Sequence, residues 1–177
     1  THESASWGLE GFINDYGIAT MAGKLAEDPK TPEARRADLR EQQAYFSARS
    51  EHFVEMFNPA AGTFTARNAD GSWPVGADFD KKAWGGAFTE ASAWTFGYHA
   101  PHDVAGLASL YGGRAGLVEN LHQFLTDREK ADHSGIHEAR EARDVRLGML
   151  GFSNQVAHHI PYVLAEAGDP STAQELI

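Results

Sequence analysis

Three short clusters hold the residues best suited to chemistry. The first is Phe88-Thr89-Glu90-Ala91-Ser92-Ala93-Trp94-Thr95-Phe96. A single glutamate follows Gly85-Gly86 and opens an expected helix flanked by aromatic residues. A carboxyl packed against apolar rings has its charged form disfavoured, so it keeps a proton to higher pH, as a general acid must. Glu90 also reads as an ordinary first-turn acid favoured by the helix dipole. The second cluster is Tyr98-His99-Ala100-Pro101-His102-Asp103. Its proline breaks the preceding helix, and His102 or Asp103 can cap the next; capping plus surface histidines accounts for it without chemistry. The third is Gly151-Phe152-Ser153-Asn154-Gln155-Val156-Ala157-His158-His159. Asn154 and Gln155 offer amide oxygens, which suit a hard cation such as calcium. Gln155 and His159 are four apart and share a helix face. An asparagine cap with partly buried histidines is the plain alternative. No His-Glu-x-x-His spacing supports zinc.

Helices must position these clusters. Leu9, Phe12, Ile13, Tyr16, Ala19, Ala22 and Leu25 recur at three- and four-residue steps, one face of a helix over 4–25. Asp28-Pro29 ends it, and Thr31-Pro32-Glu33 restarts a second helix that is expected to run to about Phe57. Leu39, Phe46, Phe53 and Phe57 form its buried stripe, and Arg35, Arg36, Asp38, Arg40, Glu41, Arg49 and Glu51 its solvated face. A short turn between two such helices makes an αα-hairpin. No fixed period marks a repeat array. A long loop follows over 58–88, and its Trp73, Phe79 and Trp84 suggest packing or a carbohydrate platform. Helices are expected over 89–98, 102–111, 114–125 and 154–167, with Ser171 capping another. The charged stretch 126–146 reads as an exposed excursion with one short helix near Glu138 to Arg143. No segment alternates long enough to make a strand.

Composition narrows the function. The 177 residues suffice for one sizeable core, and 42% hydrophobic with 23% charged residues is ordinary globular usage. A net charge of −10 argues against nucleic acid and against anionic membrane surfaces. No apolar run approaches the ~20 residues needed to span a bilayer. The absence of cysteine removes disulfides, thiolate-bound zinc and a thiol nucleophile. No signal peptide is visible at Thr1-His2-Glu3, and both ends are expected to be cuts within a longer protein.

In their order, the clusters resemble glycoside hydrolase family 92, the calcium-dependent exo-α-mannosidases. A stretch close to Ser-x-x-Leu-Glu-Tyr-Ala-Tyr-Asp-Asp-Trp is matched by Ser6 to Tyr16. A Phe-Asp-Pro turn is matched by Phe57-Asn58-Pro59, and an Arg-x-x-Asp-Gly-Ser-Trp loop by Arg67 to Trp73. Glu-Gly-Asn-Ala-Trp-Gln-Tyr and Val-Pro-His-Asp are matched by Glu90 to Phe96 and by Ala100 to Asp103. A Gly-Asn-Glu-Pro-x-His-His motif is matched by Ser153 to His159. The resemblance spans essentially the whole chain.

It implies an all-α fold in which residues 1–177 are a segment of an (α/α)6 catalytic barrel, with a β-sandwich and further residues elsewhere in the parent polypeptide. It implies an inverting hydrolysis of terminal α-linked mannose from mannosides or glycans. Glu90 takes the place of the acid, and the base comes from a motif outside this chain. Trp94, His102, Asp103, His158 and His159 fall at substrate-binding positions, and Asn154 and Gln155 at calcium-binding ones. A secreted or cell-surface bacterial setting goes with the family. The motifs also depart from the family pattern. Ala91-Ser92 replaces Gly-Asn, Gln155-Val156 replaces Glu-Pro, and His99 adds an imidazole suited to a charged leaving group. The alternatives are therefore a variant that cleaves mannosyl phosphodiesters, another (α/α)6 enzyme, or a non-catalytic helical carbohydrate-binding module.

Overall fold

The computed structural model describes residues 2–129 and 136–177. Helix α1 (Ser4–Glu27) and helix α2 (Glu33–Ser50) form the expected hairpin. Arg36 ties its turn by donating to the Thr31 and Asp28 carbonyls, both at 3.1 Å. The pairing is antiparallel. Asp15 takes an ion pair from Arg49 at 3.0 Å, Gln43 lies over Gly23, and Leu39 clusters with Ala22 and Ala26. The buried stripe of α1 runs through Leu9, Asp15, Ala19, Ala22 and Ala26, while Tyr16 and Leu25 are exposed. Small residues let the two backbones approach, and the larger apolar ones fall on the outer edge.

Helix α2 stops seven residues short of Phe57. A 3-10 turn, Glu51–Met56, follows, and Phe57 is drawn into a strand. That strand, β1 (Phe57–Asn58), pairs antiparallel with β2 (Thr63–Phe64), Phe57 opposite Phe64. Asn58 holds the turn, accepting from Ala60 and Ala61 backbone N–H groups and donating to the Val75 carbonyl. The long loop is ordered by its own side chains. Arg67 donates to the Gly71 carbonyl at 2.7 Å and lies 4.8 Å above the Trp73 ring.

The expected helix over 89–98 is one turn, α3 (Ala93–Phe96). Ser92 just before it is extended and bridges Trp84, and its hydroxyl then caps α3 through Thr95 N–H at 3.2 Å. Helices α4 (Val104–Leu110) and α5 (Arg114–Thr126) follow. Asp103, not His102, caps α4 through Gly106 N–H at 2.8 Å. Helix α6 (His137–Asp144) falls in the stretch expected to be exposed, yet Glu138, Ala139 and Ala142 are buried. Residues 130–135 of that excursion lie outside the described residues. A 3-10 turn at Gln155–Ala157 leads to α7 (Ile160–Ala167) and α8 (Pro170–Leu176). Asp169 rather than Ser171 caps α8, accepting from Thr172 N–H at 3.1 Å; Pro170 takes the first helical position, which moves the cap two residues earlier.

One continuous core joins α1 to the later helices. Leu9, Phe53, Phe64, Phe96, Tyr98, Leu107, Leu117, Leu121, Phe124 and Leu164 are fully buried in it. Two phenols anchor its centre. Tyr98 donates to Asn120 Oδ1 at 2.7 Å and Tyr111 to the Gly97 carbonyl at 2.8 Å, so neither buried hydroxyl is left unpaired. The fold is all-α apart from the two-residue strands, as expected for part of an (α/α)6 barrel.

Candidate active site

The start of α1 and the loop before Glu90 are built on each other. Helix N-termini leave backbone N–H groups without intrahelical partners. Here Glu3 N–H donates to the Gly86 carbonyl at 3.0 Å, and Ala5 and Ser6 N–H donate to the Ala87 carbonyl at 3.0 and 3.3 Å. Buried Ser6 returns the contact, its hydroxyl accepting from Thr89 N–H at 2.8 Å. Gly85 N–H donates to the Ala91 carbonyl at 2.9 Å. Residues 84–92 thus form a tight turn with Glu90 near its end.

Glu90 itself adopts φ 50. A left-handed conformation is uncommon for any residue that carries a Cβ and costs of order 1–2 kcal/mol. Neighbouring contacts hold it there. Asn154 donates from Nδ2 to the Glu90 carbonyl at 2.5 Å, and Thr89 and Ala91 are pinned on either side. The Glu90 side chain is exposed rather than packed against rings. The crevice beside it is lined by Trp84, Ser92, Thr95, Glu138, Asn154 and Val156 and holds about 20 Å³. That is room for about one water, so any larger molecule would meet the Glu90 carboxyl from its open side.

Asn154 is buried, and its Oδ1 accepts no hydrogen bond. An orphaned amide oxygen is the type of donor calcium takes. Gln155 beside it is exposed. No three His, Asp or Glu side chains converge into a metal cage among the described residues. Two neutral amides fit calcium as part of a shell whose charge must come from other groups.

A second polar group lies one turn along α1 from Ser6. His99 donates from Nε2 to Glu10 Oε1 at 2.8 Å. Its ring meets that of His159 edge-on at 4.8 Å, and His159 donates from Nε2 to the Tyr98 carbonyl at 2.9 Å. The bond from His99 holds the Glu10 carboxyl below its usual range. Burial, with the His99 ring next in weight, lowers His159 to about 4. His159 is therefore neutral at pH 7, with Nδ1 as its lone-pair nitrogen. His99 Nδ1 is buried without a partner.

The remaining expected site residues separate. Trp94 is 2% exposed, its Nε1 donates to Asn120 and its face covers Lys81 Nζ at 3.7 Å; it offers no open ring to a sugar. His102 donates to the Ser50 carbonyl at 3.1 Å beneath Phe53 and Tyr16. Asp103 is occupied as the α4 cap. His158 is exposed and donates to the Phe152 carbonyl. The structure thus joins Glu90 to Asn154 directly, and His159 to the neighbouring Glu10–His99 pair. Sequence reasoning missed Ser6 and Glu10 as residues that shape this region, and named Trp84 only among aromatics suggesting packing or a carbohydrate platform. Ser6 and Glu10 stand in a recognisable motif, but their partners lie 83 and 89 residues away.

A search of curated proteins gave no match. Among solved structures, the Family GH92 inverting mannosidase BT2199 from Bacteroides thetaiotaomicron VPI-5482 superposes with a TM-score of 0.67. The two are 24% identical, and the match covers 93% of this chain and 21% of that one. This likeness establishes the shared fold, and the chain spans about a fifth of that enzyme's length. The model of the glycosyl hydrolase family 92 catalytic domain matches residues 1–177. The chain therefore belongs to glycosyl hydrolase family 92.

Proposed function

We propose that this chain is the acid-bearing part of an inverting α-mannosidase that removes terminal α-linked mannose, with Glu90 as general acid. Family membership over the whole chain supports the reaction class. One observation carries the assignment of Glu90: a strained φ of 50, clamped by Asn154, beneath an exposed carboxyl. Backbone strain of this kind persists only where surrounding contacts over-determine it, and it gathers at functional sites. The clamp fixes the direction from which the carboxyl meets a glycosidic oxygen. A proton passes from Glu90 to that oxygen as the bond to C1 breaks, and a carboxylate from outside this chain activates water on the opposite face.

Asn154, through its orphaned Oδ1, and Gln155 would contribute to holding calcium. Bound there, calcium supplies fixed positive charge to sugar hydroxyls. Asn154 would then serve both the acid, through Nδ2, and the ion, through Oδ1.

Glu90→Gln keeps size and hydrogen bonding but removes the proton. Turnover of mannosyl-mannose by the full protein should fall about 10²–10⁴-fold. Activated aryl mannosides, whose leaving groups need no proton, should lose far less, and the melting temperature should hold. Equal losses on both substrates would exclude Glu90 as the acid.

A further inference from the structure

Helix α1 holds the segment that carries Glu90 from both sides. In its first turn, Ser6 N–H donates to the Ala87 carbonyl at 3.3 Å, and Ser6 Oγ accepts from Thr89 N–H at 2.8 Å. One turn further along, Glu10 takes the bond from His99 at 2.8 Å. Residues before and after Glu90 are thus fastened to one helix, across 83 and 89 positions of sequence. We infer that Ser6 is a positioning residue for the acid, its hydroxyl setting where the Glu90 carboxyl stands. The inference rests on Glu90 being the acid.

Three observations carry it. The first is where the hydroxyl grips. Thr89 N–H belongs to the peptide unit before Thr89, and the Glu90 carbonyl to the unit after Glu90. Ser6 holds the first unit and Asn154 the second. Peptide units are planar, so only the backbone angles of Thr89 and Glu90 lie between two held planes. The φ of 50 at Glu90 is what these clamps impose. Without the bond from Ser6 the first plane can swing, and Glu90 can relax towards an unstrained backbone that aims its carboxyl elsewhere. The second is the fixity of Ser6. It is buried between Ala5 and Leu9, both fully buried in the core, so α1 cannot roll to carry the hydroxyl away. The third is the softness of what precedes Thr89. Gly85 and Gly86 stand at φ 84 and 70, and glycine gives the chain there little stiffness of its own. The turn itself does not depend on the hydroxyl. The backbone bonds from Glu3 to Gly86 and from Ala5 to Ala87 remain when Ser6 is changed. Loss of the hydroxyl therefore releases the direction of Glu90 and leaves the seating of the loop on α1.

The test measures Ser6→Ala in the full protein on mannosyl-mannose, which needs a proton on its leaving group, and on an activated aryl mannoside, which does not. The ratio of kcat for the first to kcat for the second should fall about three- to tenfold, the effect of one neutral hydrogen bond acting through the acid. In a Glu90→Gln background the same change should lower the ratio no further, because the group that Ser6 positions has lost its proton. Ser6→Cys keeps the size with a weaker acceptor and should lower the ratio in the same direction, less steeply; it decides the matter if Ser6→Ala melts below the assay temperature. Parallel losses on both substrates in Ser6→Ala and Ser6→Cys mean that Ser6 is merely structural, and they overturn the inference. A ratio that falls as far in the Glu90→Gln background also overturns it, since Ser6 would then act by another route. The Glu90 reading fails separately: Glu90→Gln on its own would lose both substrates equally, which removes the acid and this inference together.

Discussion

At the scale of single residues, Asn154 has two roles that can be separated. Its Nδ2 clamps the Glu90 carbonyl, and its Oδ1 is buried without a partner. Asn154→Ala removes both. Asn154→Asp keeps an oxygen and adds charge, but loses the donor. Calcium binding followed by calorimetry should weaken about tenfold or more in Asn154→Ala and be retained in Asn154→Asp. Turnover should fall in both, because both release Glu90. Unchanged calcium affinity in Asn154→Ala would remove this side chain from the ion's shell and leave only the clamp. The exposure of Glu90 corrects the expectation drawn from its aromatic neighbours: Phe88, Trp94 and Phe96 turn into the core, while φ 50 turns Glu90 out.

At the scale of elements, propensity and contact oppose each other at the elbow between α4 and α5. Gly116 lies within the first turn of α5, where alanine is the better helix former by roughly 1 kcal/mol. A Cβ there would stand 2.0 Å from the Tyr111 carbonyl oxygen, which is backbone and cannot swing aside. The clash outweighs the propensity. Gly116→Ala should destabilise by about 1–3 kcal/mol in urea melts, and a gain in stability would show that the elbow can open freely. The opposite case is Gly23, where an added Cβ meets only the flexible amide end of Gln43. The α1–α2 hairpin is accordingly more tolerant of change than the elbow.

At the scale of the molecule, Glu10 on α1, His99 after α3 and His159 before α7 tie distant segments into one polar knot against the core. Its pH dependence follows from the shifts. His159 is lowered to about 4 from an ordinary 6.5, so between these values the unfolded chain binds more protons than the folded one. Its contribution is complete above pH 6.5 and is lost as pH falls towards 4, up to about 3 kcal/mol in all. Glu10, whose folded carboxyl is lowered, loses its contribution further down, as pH falls below its unfolded value. Thermal melts should therefore drop between pH 6.5 and 4. His159→Gln should melt lower at pH 7 yet flatten that part of the profile. An equally steep profile in the variant would place the acid sensitivity elsewhere.

The sequence alone determined the family and the helix inventory, because both are written in local strings. Ser6 to Tyr16, Arg67 to Trp73, Glu90 to Asp103 and Ser153 to His159 stand in one order, and three- and four-residue apolar steps mark the hairpin without reference to anything distant. It also offered Glu90 and Asn154, 64 positions apart, as candidates for the site. Only the tertiary structure brought them together. The contact between Asn154 and the Glu90 carbonyl, the seating of residues 85–89 on the start of α1, and the pairing of Glu10 with His99 are all long-range, and no local pattern encodes them. Burial was decided in the same way. Trp94, expected at a substrate-binding position, is claimed by the core, while Glu90 is turned out to solvent. A side chain's chemistry depends on the surface it finally faces, and that surface is assembled from segments that meet only when the chain folds.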